Sequence, residues 1–258
     1  MLILLPPSEG KTAPTSGAPV QLKALAFAGD LTPSRRKLLG ALAALAELPL
    51  ERAVSMLAVS AGQAGEVAVD AELSSAPAGP AAEVYTGVLY DALGLGSLSS
   101  SGKRRASSRL AVASSLFGLI RLGDRVPAYR LSGDVSLPSI GTVSSVWRAS
   151  MGEVMRPLVA KQLVVDLRSG TYAAFWRPDA DQAARVLSLR VLHEVDGRRS
   201  VVSHFNKATK GRIVRALLED GGDPGSAKGF VALLTRLGWH VEATPGKTTS
   251  YDVVVTQI

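Results

Sequence analysis

The chain has 258 residues, of which 47% are hydrophobic, so it can bury a large core as one domain or as two small ones. We expect a single domain over residues 1–258. Its formal net charge of +7 favours a polyanionic partner such as nucleic acid, or small anionic ligands. Cysteine is absent, which excludes disulfides, thiolate metal ligands and a peroxide-reducing thiol. The three histidines lack a metal-ligand spacing, and we expect neither a metal nor a cofactor.

Neither a targeting signal nor a membrane segment is evident in the sequence. No basic segment precedes the first apolar run, and that run is too short for the apolar region of a signal peptide. The longest later apolar stretch, residues 38–50, contains Glu47 and Pro49 and falls short of a membrane span. We therefore expect a soluble, cytoplasmic protein with no membrane partner, whose oligomeric state the sequence leaves open.

The amino terminus predicts a buried strand followed by a polar turn. Residues 1–5 form an unbroken apolar run of strand length, which is typical of a strand covered on both faces. Pro6 and Pro7 must end the strand, because proline donates no hydrogen bond to a sheet. The polar residues 8–12 therefore lie at the carboxyl edge of a central strand, where open α/β sheets usually bind their ligands.

The end of this turn, Gly-Lys-Thr at residues 10–12, matches the last residues of a phosphate-binding P-loop. The first glycine of that motif is replaced by Leu5, and the two prolines remove backbone donors that such a loop needs, so a nucleoside-triphosphate P-loop is a poor match. Two interpretations stay open. Either Lys11 faces an anionic ligand together with the hydroxyls of Ser8 and Thr12, or it is a solvated loop lysine.

Thr32 and Pro33 predict the start of a helix over residues 34–47, with threonine as the N-cap and proline at the first helical position. The basic run of residues 35–37 then falls in the first turn, where its charge opposes the helix dipole. Such charges are either held for a partner or a distant carboxylate, or they belong to a solvated face.

Two short helices, over residues 50–59 and 66–73, are predicted on either side of a turn that contains Gly62 and Gly65. This pattern fits a helix-hairpin-helix, whose backbone N–H groups can grip a DNA phosphate, but any αα-hairpin looks the same in sequence. The hairpin is rich in alanine and has no lysine or arginine after Arg52. That composition weakens the DNA-gripping interpretation.

The middle of the chain predicts two buried strands and one long helix. Residues 97–109 are rich in serine and basic side chains, which is typical of a mobile phosphate-contacting loop or of a helix start. Residues 110–120 are largely apolar and predict a single buried strand, and residues 140–161 predict a helix. Residues 163–167 predict a second buried strand, which runs into small polar residues as the first one does.

Asp196-Gly197 is the strongest short hairpin signal in the chain. If these two residues form the turn, Val195 pairs with Arg198, and the register places His204 opposite Leu189. The rest of the chain predicts two helices, over residues 207–219 and 227–237, and a closing hairpin of residues 239–244 and 250–256.

A helical wheel of residues 207–219 places both Lys207 and Lys210 inside the apolar arc. The arc consists of Ile213, Val214, Leu217 and Leu218. Both lysines are therefore predicted to point toward the core at the amino end of the helix, where the dipole favours anions. Inward lysines need a counter-charge, supplied either by a bound anion or by internal carboxylates.

Several motifs, taken in their order and spacing, resemble the YaaA, or peroxide-stress-protein, family over most of the chain. The strand and lysine turn of residues 4–12 are similar to the family's amino-terminal strand and turn, and Val-Tyr-Thr-Gly at residues 84–87 is similar to a motif of the same sequence. The other matches are Leu-Phe-Gly-Leu-Ile-Arg at 116–121, Pro-Ala-Tyr-Arg-Leu at 127–131, Trp147, Leu167, Ser169, Tyr172, Lys-Ala-Thr-Lys-Gly at 207–211 and Arg215.

This resemblance implies a mixed α/β fold of YaaA-like topology with a basic cleft. It also implies sequence-nonspecific binding of duplex DNA and a role in limiting peroxide damage. The residues that it and the charge pattern indicate for DNA or anion binding are Lys11, Thr12, Arg121, Arg130, Lys207, Lys210 and Arg215. The turn after the first strand is longer here than in the family's pattern.

An enzyme is the alternative. Its substrate would be a small anionic, nucleotide-like or nucleobase-like molecule in a pocket lined by lysine and arginine, with Ser8 or Lys11 in proton transfer or covalent chemistry. The two hypotheses differ in one structural respect. Lys11, Arg130, Lys207 and Lys210 surround one cavity in an enzyme, whereas they spread along an open groove in a DNA-binding protein.

Overall fold

The first strand lies in the middle of the sheet that organises the molecule. The structure is a computed structural model and describes residues 1–256. β1 (Leu2–Leu5) is buried at every position, as its apolar run predicts. The later strands are β2 (Gly79–Pro80), β3 (Leu110–Ser114), β4 (Gly118–Ile120), β5 (Arg125–Val126), β6 (Ser136–Leu137), β7 (Gly141–Thr142), β8 (Val164–Asp166), β9 (Val186–Val195), β10 (Arg198–Ser200), β11 (His240–Ala243) and β12 (Ser250–Val255).

The main sheet has eight strands in the order β11-β12-β9-β8-β1-β3-β4, with β10 paired to β9. The five strands from β12 to β3 run parallel, whereas β11, β4 and β10 each add an antiparallel pairing. Two small ribbons, β2 with β5 and β6 with β7, lie outside this sheet. The predicted mixed α/β fold class is therefore confirmed, and the parallel strands β1, β3 and β8 end at one common edge.

The helices of the described residues are α1 (Ala28–Leu45), α2 (Leu50–Leu57), α3 (Gly65–Ala71), α4 (Ala81–Val84), α5 (Val88–Leu93), α6 (Ser100–Arg109), α7 (Val143–Lys161), α8 (Gly170–Ala173), α9 (Ser203–Asp220) and α10 (Ala227–Arg236). Helices α1 and α7 pack against each other and against β4. Helix α9 packs against α5, α6 and β9. Within residues 1–256, none of these helices has the length and apolarity needed to cross a membrane.

Helices α5 and α9 approach closely because α9 carries a glycine at the contact. A Cβ atom added to Gly211 would lie 2.3 Å from the carbonyl oxygen of Leu89, so any larger residue would force the helices apart. The glycine of the Lys-Ala-Thr-Lys-Gly motif thus has a packing role. It holds α5, which follows the Val-Tyr-Thr-Gly motif, at a fixed position beside α9.

The predicted start of the first helix is wrong. Helix α1 begins at Ala28, six residues before the predicted position, and Pro33 lies inside it. Thr32 is buried, and its hydroxyl donates to the Ala28 carbonyl 2.6 Å away instead of capping a helix. Asp30 lies in the first turn, where its charge suits the dipole.

Arg35 consequently lies within the helix and is fully buried. Its guanidinium donates hydrogen bonds to the carbonyl oxygens of Phe117 (2.9 Å), Ala26 (2.7 Å) and Leu119 (3.1 Å). Burial lowers the pKa of Arg35 to about 10, and the nearby Asp124 opposes that shift. The basic run therefore supplies a structural arginine that joins α1 to the β3–β4 hairpin.

The prediction of one strand over residues 110–120 is also wrong, because the segment folds back on itself. β3 and β4 are antiparallel, and Val112 pairs with Ile120. Gly118 makes the turn possible with a φ of +66°, and an added Cβ there would lie 2.6 Å from the Trp147 ring. Before this hairpin, residues 100–109 form a helix, which selects one of the two alternatives left open for the basic serine-rich segment.

The turn at Asp196-Gly197 and the pairing of Val195 with Arg198 are confirmed, but the position of His204 is wrong. Strand β10 ends at Ser200, and His204 lies in α9, which begins at Ser203. A three-residue edge strand carries the register no further. The closing β11–β12 hairpin is confirmed.

Candidate functional site

The polar turn after β1 is held against the Val-Tyr-Thr-Gly segment. Lys11 forms a β-bridge with Tyr85, and the Thr12 N–H donates to the Val84 carbonyl at 2.9 Å. The Thr86 N–H in turn donates to the Ser8 hydroxyl oxygen at 3.2 Å. Two motifs far apart in the sequence therefore build one rigid turn at the carboxyl edge of the sheet.

The Lys11 side chain is half-buried and held by this turn. Its Nζ donates to the carbonyl oxygens of Ser8 (2.9 Å) and Glu9 (3.4 Å). The same nitrogen lies 4.2 Å from the ring centroid of Tyr129 and 5.7 Å from that of Tyr85. These contacts fix the amine in position, and the two aromatic rings close off one side of it.

The surroundings of Lys11 weaken its affinity for a proton. Burial, and then the positive charge of Arg130, lower the pKa of Lys11 to about 8, while Asp70 and two glutamates act in the opposite direction. About a tenth of this amine is therefore uncharged at pH 7, and about half at pH 8. A surface lysine has no comparable fraction, because its ordinary pKa is about 10.4.

The aromatic floor beneath Lys11 is a buried hydrogen-bonded network. The Tyr129 hydroxyl lies 3.0 Å from the Tyr85 hydroxyl and 2.7 Å from that of Ser114, the last residue of β3. Ser115 donates to the Leu131 carbonyl at 2.6 Å. Burial raises the pKa of both tyrosines, which therefore stay neutral phenols. The network fixes the loop that carries Arg130.

Arg130 and Asp70 meet through the backbone of that loop. The Arg130 N–H donates to Asp70 Oδ1 at 2.8 Å, and the Arg130 guanidinium reaches back to the Glu9 carbonyl at 3.5 Å. Asp70 lies on α3 and is only 2% exposed. Its Oδ2 atom has no hydrogen-bond partner among the described residues. Burial raises the pKa of Asp70 to about 7, and the Arg130 N–H bond partly offsets this shift.

Lys11 and Arg130 are among the residues that line an open cavity of about 180 Å³. Ser8, Glu9 and Lys11 line one side, and residues 130–132 together with Asp134 line another. The carboxyl end of α2 and Tyr172 complete the wall. The cavity thus lies at the carboxyl edge of the parallel strands, as predicted for the polar turn.

The structure brings Lys11, Arg130 and Ser8 to this cavity, but not Lys207 or Lys210. Lys210 is half-buried, as predicted, and its Nζ donates to the Leu167 carbonyl at 3.1 Å, directly after β8. Burial lowers the pKa of Lys210, and Asp166 opposes the shift. Lys207 is exposed, so its predicted inward orientation is wrong. Lys210 nevertheless lies toward the sheet edge that carries Lys11, because it contacts the residue after β8, and β8 is the parallel neighbour of β1.

Three other predicted residues lie outside the cavity. Thr12 is exposed, and its backbone forms part of the turn. Arg121 donates to the carbonyls of Ser108 and Leu110, at the opposite end of β3. The Arg215 guanidinium donates to the carbonyls of Leu93, Gly94 and Ser97, at the end of α5. Both arginines thus satisfy backbone acceptors in the structure.

The sequence analysis missed Asp70, which the structure places behind the cavity. A signal was present, because residues 67, 70 and 73 are spaced three apart and all three are buried. An aspartate in such an apolar stripe indicates a buried carboxyl. No cluster of three or more potential metal ligands occurs in the described part of the chain, so the site is one of lysine, arginine, tyrosine and carboxyl groups.

The fold and this site define a class: mixed α/β proteins with a lysine of lowered pKa at the carboxyl edge of a central parallel sheet. Residues 1–242 match the family model described as peroxide stress protein YaaA, and the chain belongs to this family. A UPF0246 protein of Streptomyces coelicolor is 48% identical over the full length of both chains. A UPF0246 protein of Corynebacterium efficiens is 37% identical over 99% of this chain and 100% of its own.

Proposed function

We propose that the cavity binds a small anionic ligand of nucleotide-like class. The observation that carries this proposal is that Lys11 and Arg130, from distant parts of the sequence, present cationic groups to one cavity. The hydroxyl group of Tyr172 supplies a further donor in the same wall, whereas the Ser8 hydroxyl already donates to the Gly10 carbonyl. Such a combination of cations and hydroxyls suits a phosphate or a carboxylate.

Carboxylates at the cavity also bear on this proposal. Glu9 lies 4.0 Å from the Arg130 guanidinium, and its side chain is 79% exposed. An exposed ion pair of this kind contributes little to stability, so a ligand anion can replace Glu9 at Arg130. Asp134 is the other carboxylate that lines the cavity. It accepts a hydrogen bond from the Ser132 hydroxyl and so already has a partner within the protein.

Neutralising Arg130 tests the anion site. We expect Arg130→Met to weaken binding of 5′-AMP and of inorganic phosphate by at least about tenfold, because a charge-assisted hydrogen bond contributes about 1.5–3 kcal/mol. Isothermal titration calorimetry measures the change. The control is Arg212→Met, which removes the same charge from an exposed position on α9. Equal affinities of the two variants for both ligands would reject the proposal.

A second candidate function is sequence-nonspecific binding of duplex DNA. The observations that favour it are the net charge of +7 and the exposed Lys207 near the amino end of α9. The helical pair α2–α3 adds little to this charge, since it has no basic residue after Arg52. With no cysteine in the chain, we propose that the family's role in peroxide stress is exerted through DNA or a bound metabolite.

The salt dependence of DNA affinity tests this second function. About five phosphate contacts give a slope of about −4.5 for the logarithm of the binding constant against that of the salt concentration. Fluorescence anisotropy with a labelled duplex measures this slope. Lys207→Met is expected to make this slope shallower by the equivalent of about one phosphate contact. Lys247→Met, in the remote β11–β12 turn, should leave the slope unchanged. Affinity that does not vary with salt would exclude a phosphate-binding surface.

A further inference from the structure

We propose that Lys11 is an amine nucleophile, which condenses with the carbonyl carbon of a small aldehyde or ketone whose anionic group contacts Arg130. This inference rests on the proposed anion site, because the substrate occupies the same cavity. It adds a reaction class to that site: imine formation between a lysine and a carbonyl compound that carries a carboxylate or a phosphate.

The position of the amine supports this role. An uncharged lysine has two N–H bonds and one lone pair, and the carbonyls of Ser8 and Glu9 are placed to accept both N–H bonds. The lone pair is then directed away from the turn. Because the Lys11 side chain forms part of the cavity wall, a carbonyl carbon bound in the cavity is within reach of it.

The electrostatics of the cavity support the same role. Burial and the neighbouring Arg130 lower the pKa of Lys11 to about 8, so the nucleophilic, uncharged form is well populated under mildly alkaline conditions. A second cation beside a lysine is one of the known ways to activate it. Here the second cation has two effects, since Arg130 also attracts the anionic end of the substrate.

The reaction balances without an oxidant or a reductant. The Lys11 nitrogen forms a bond to the carbonyl carbon as the C=O π bond breaks, and one proton passes from the nitrogen to the carbonyl oxygen to give a carbinolamine. That hydroxyl then takes a second proton from solvent, to which the cavity is open, and leaves as water. The product is an iminium ion on Lys11, which the adjacent Tyr129 ring face accommodates as it does the ammonium ion.

Reductive trapping tests the proposal. The protein is incubated with glyoxylate and sodium cyanoborohydride, and the labelled lysines are identified by peptide mass mapping. We expect Lys11 to be labelled roughly tenfold faster than the exposed Lys207 and Lys247 at pH 8. The lowered pKa of Lys11 increases the uncharged fraction of its amine by a larger factor than it decreases the nucleophilicity of that amine. The rate at Lys11 should level off above about pH 8.

Acetaldehyde, which lacks the anionic group, is the matched reagent. Arg130→Met should lower the rate with glyoxylate toward that with acetaldehyde, while Arg212→Met leaves both rates unchanged. Labelling of Lys11 no faster than Lys207 overturns the nucleophile assignment. If phosphate still binds in that case, the anion site stands and only the reaction is rejected. If phosphate also fails to bind, both proposals are rejected.

Discussion

Replacing Arg35 by methionine is expected to lower the free energy of unfolding by about 3–5 kcal/mol, because three carbonyl acceptors, two of them buried and one half-buried, lose their donor at about 1–3 kcal/mol each. Relief of guanidinium desolvation offsets part of this loss. The carbonyls are those of Ala26, Phe117 and Leu119. Methionine fills much of the same volume, so lost hydrogen bonding dominates over an empty cavity. Urea denaturation followed by circular dichroism measures the change.

Two further variants separate hydrogen bonding from charge. Arg36→Met removes an exposed charge from the next position of α1 and is expected to change stability by less than about 0.5 kcal/mol. Arg35→Lys keeps the charge but lacks the planar fork that reaches three acceptors, so it should fall between the wild type and Arg35→Met. A loss for Arg35→Met no larger than that for Arg36→Met would contradict the structural role.

Arg35 shows why local sequence signals can misplace the start of a helix and the burial of a side chain. The Thr32-Pro33 pair is a good helix start by itself, but the helix begins earlier, where Asp30 suits its dipole. The three acceptors of Arg35 lie 9 to 84 residues away in the sequence, and no local pattern indicates them. Tertiary contacts thus turn a basic run that resembles a binding surface into part of the core.

Hydrophobic patterns, and prolines that end a strand, predicted the elements of the sheet more reliably. The apolar run before Pro6 predicted β1 and its place in the sheet, and the turn after it does lie at the cavity. The wheel correctly placed Lys210 on the inner side of α9, but it also placed Lys207 inside the apolar arc, and Lys207 is exposed. The long side chain of a lysine can extend its ammonium group to solvent even from within an apolar arc, so the wheel alone does not decide its orientation.

The composition of the cavity could be predicted only in part. Lys11 and Arg130 were both identified, because each belongs to a motif of the family. The acceptors of the Lys11 amine are backbone carbonyls of its own turn, and the ring beneath it belongs to Tyr129, which is 118 residues further along the chain. Such contacts depend on the fold of the turn and not on residue type.

Asp70 should make the protein less stable as the pH rises. Its pKa in the folded protein is about 7 against 3.8 in the unfolded chain, so between these values the folded state holds a proton that the unfolded state has released. Stability therefore falls as the pH rises from about 4 to about 7, and the loss persists above that range. The cause is burial of a carboxyl whose Oδ2 has no partner among the described residues.

Asp70→Asn is expected to remove this pH dependence, because an amide keeps the acceptor for the Arg130 N–H and carries no charge. The stability of the variant relative to the wild type should rise by up to about 1.4 kcal/mol per pH unit between pH 4 and 7, whatever the fixed cost of the amide. Urea denaturation at a series of pH values measures this slope. Glu51→Gln, at an exposed position on α2, is the control and should show no such trend. Parallel stability curves for Asp70→Asn and the wild type would mean that Asp70 keeps an ordinary pKa, and that no neutral carboxyl supports the loop of Arg130.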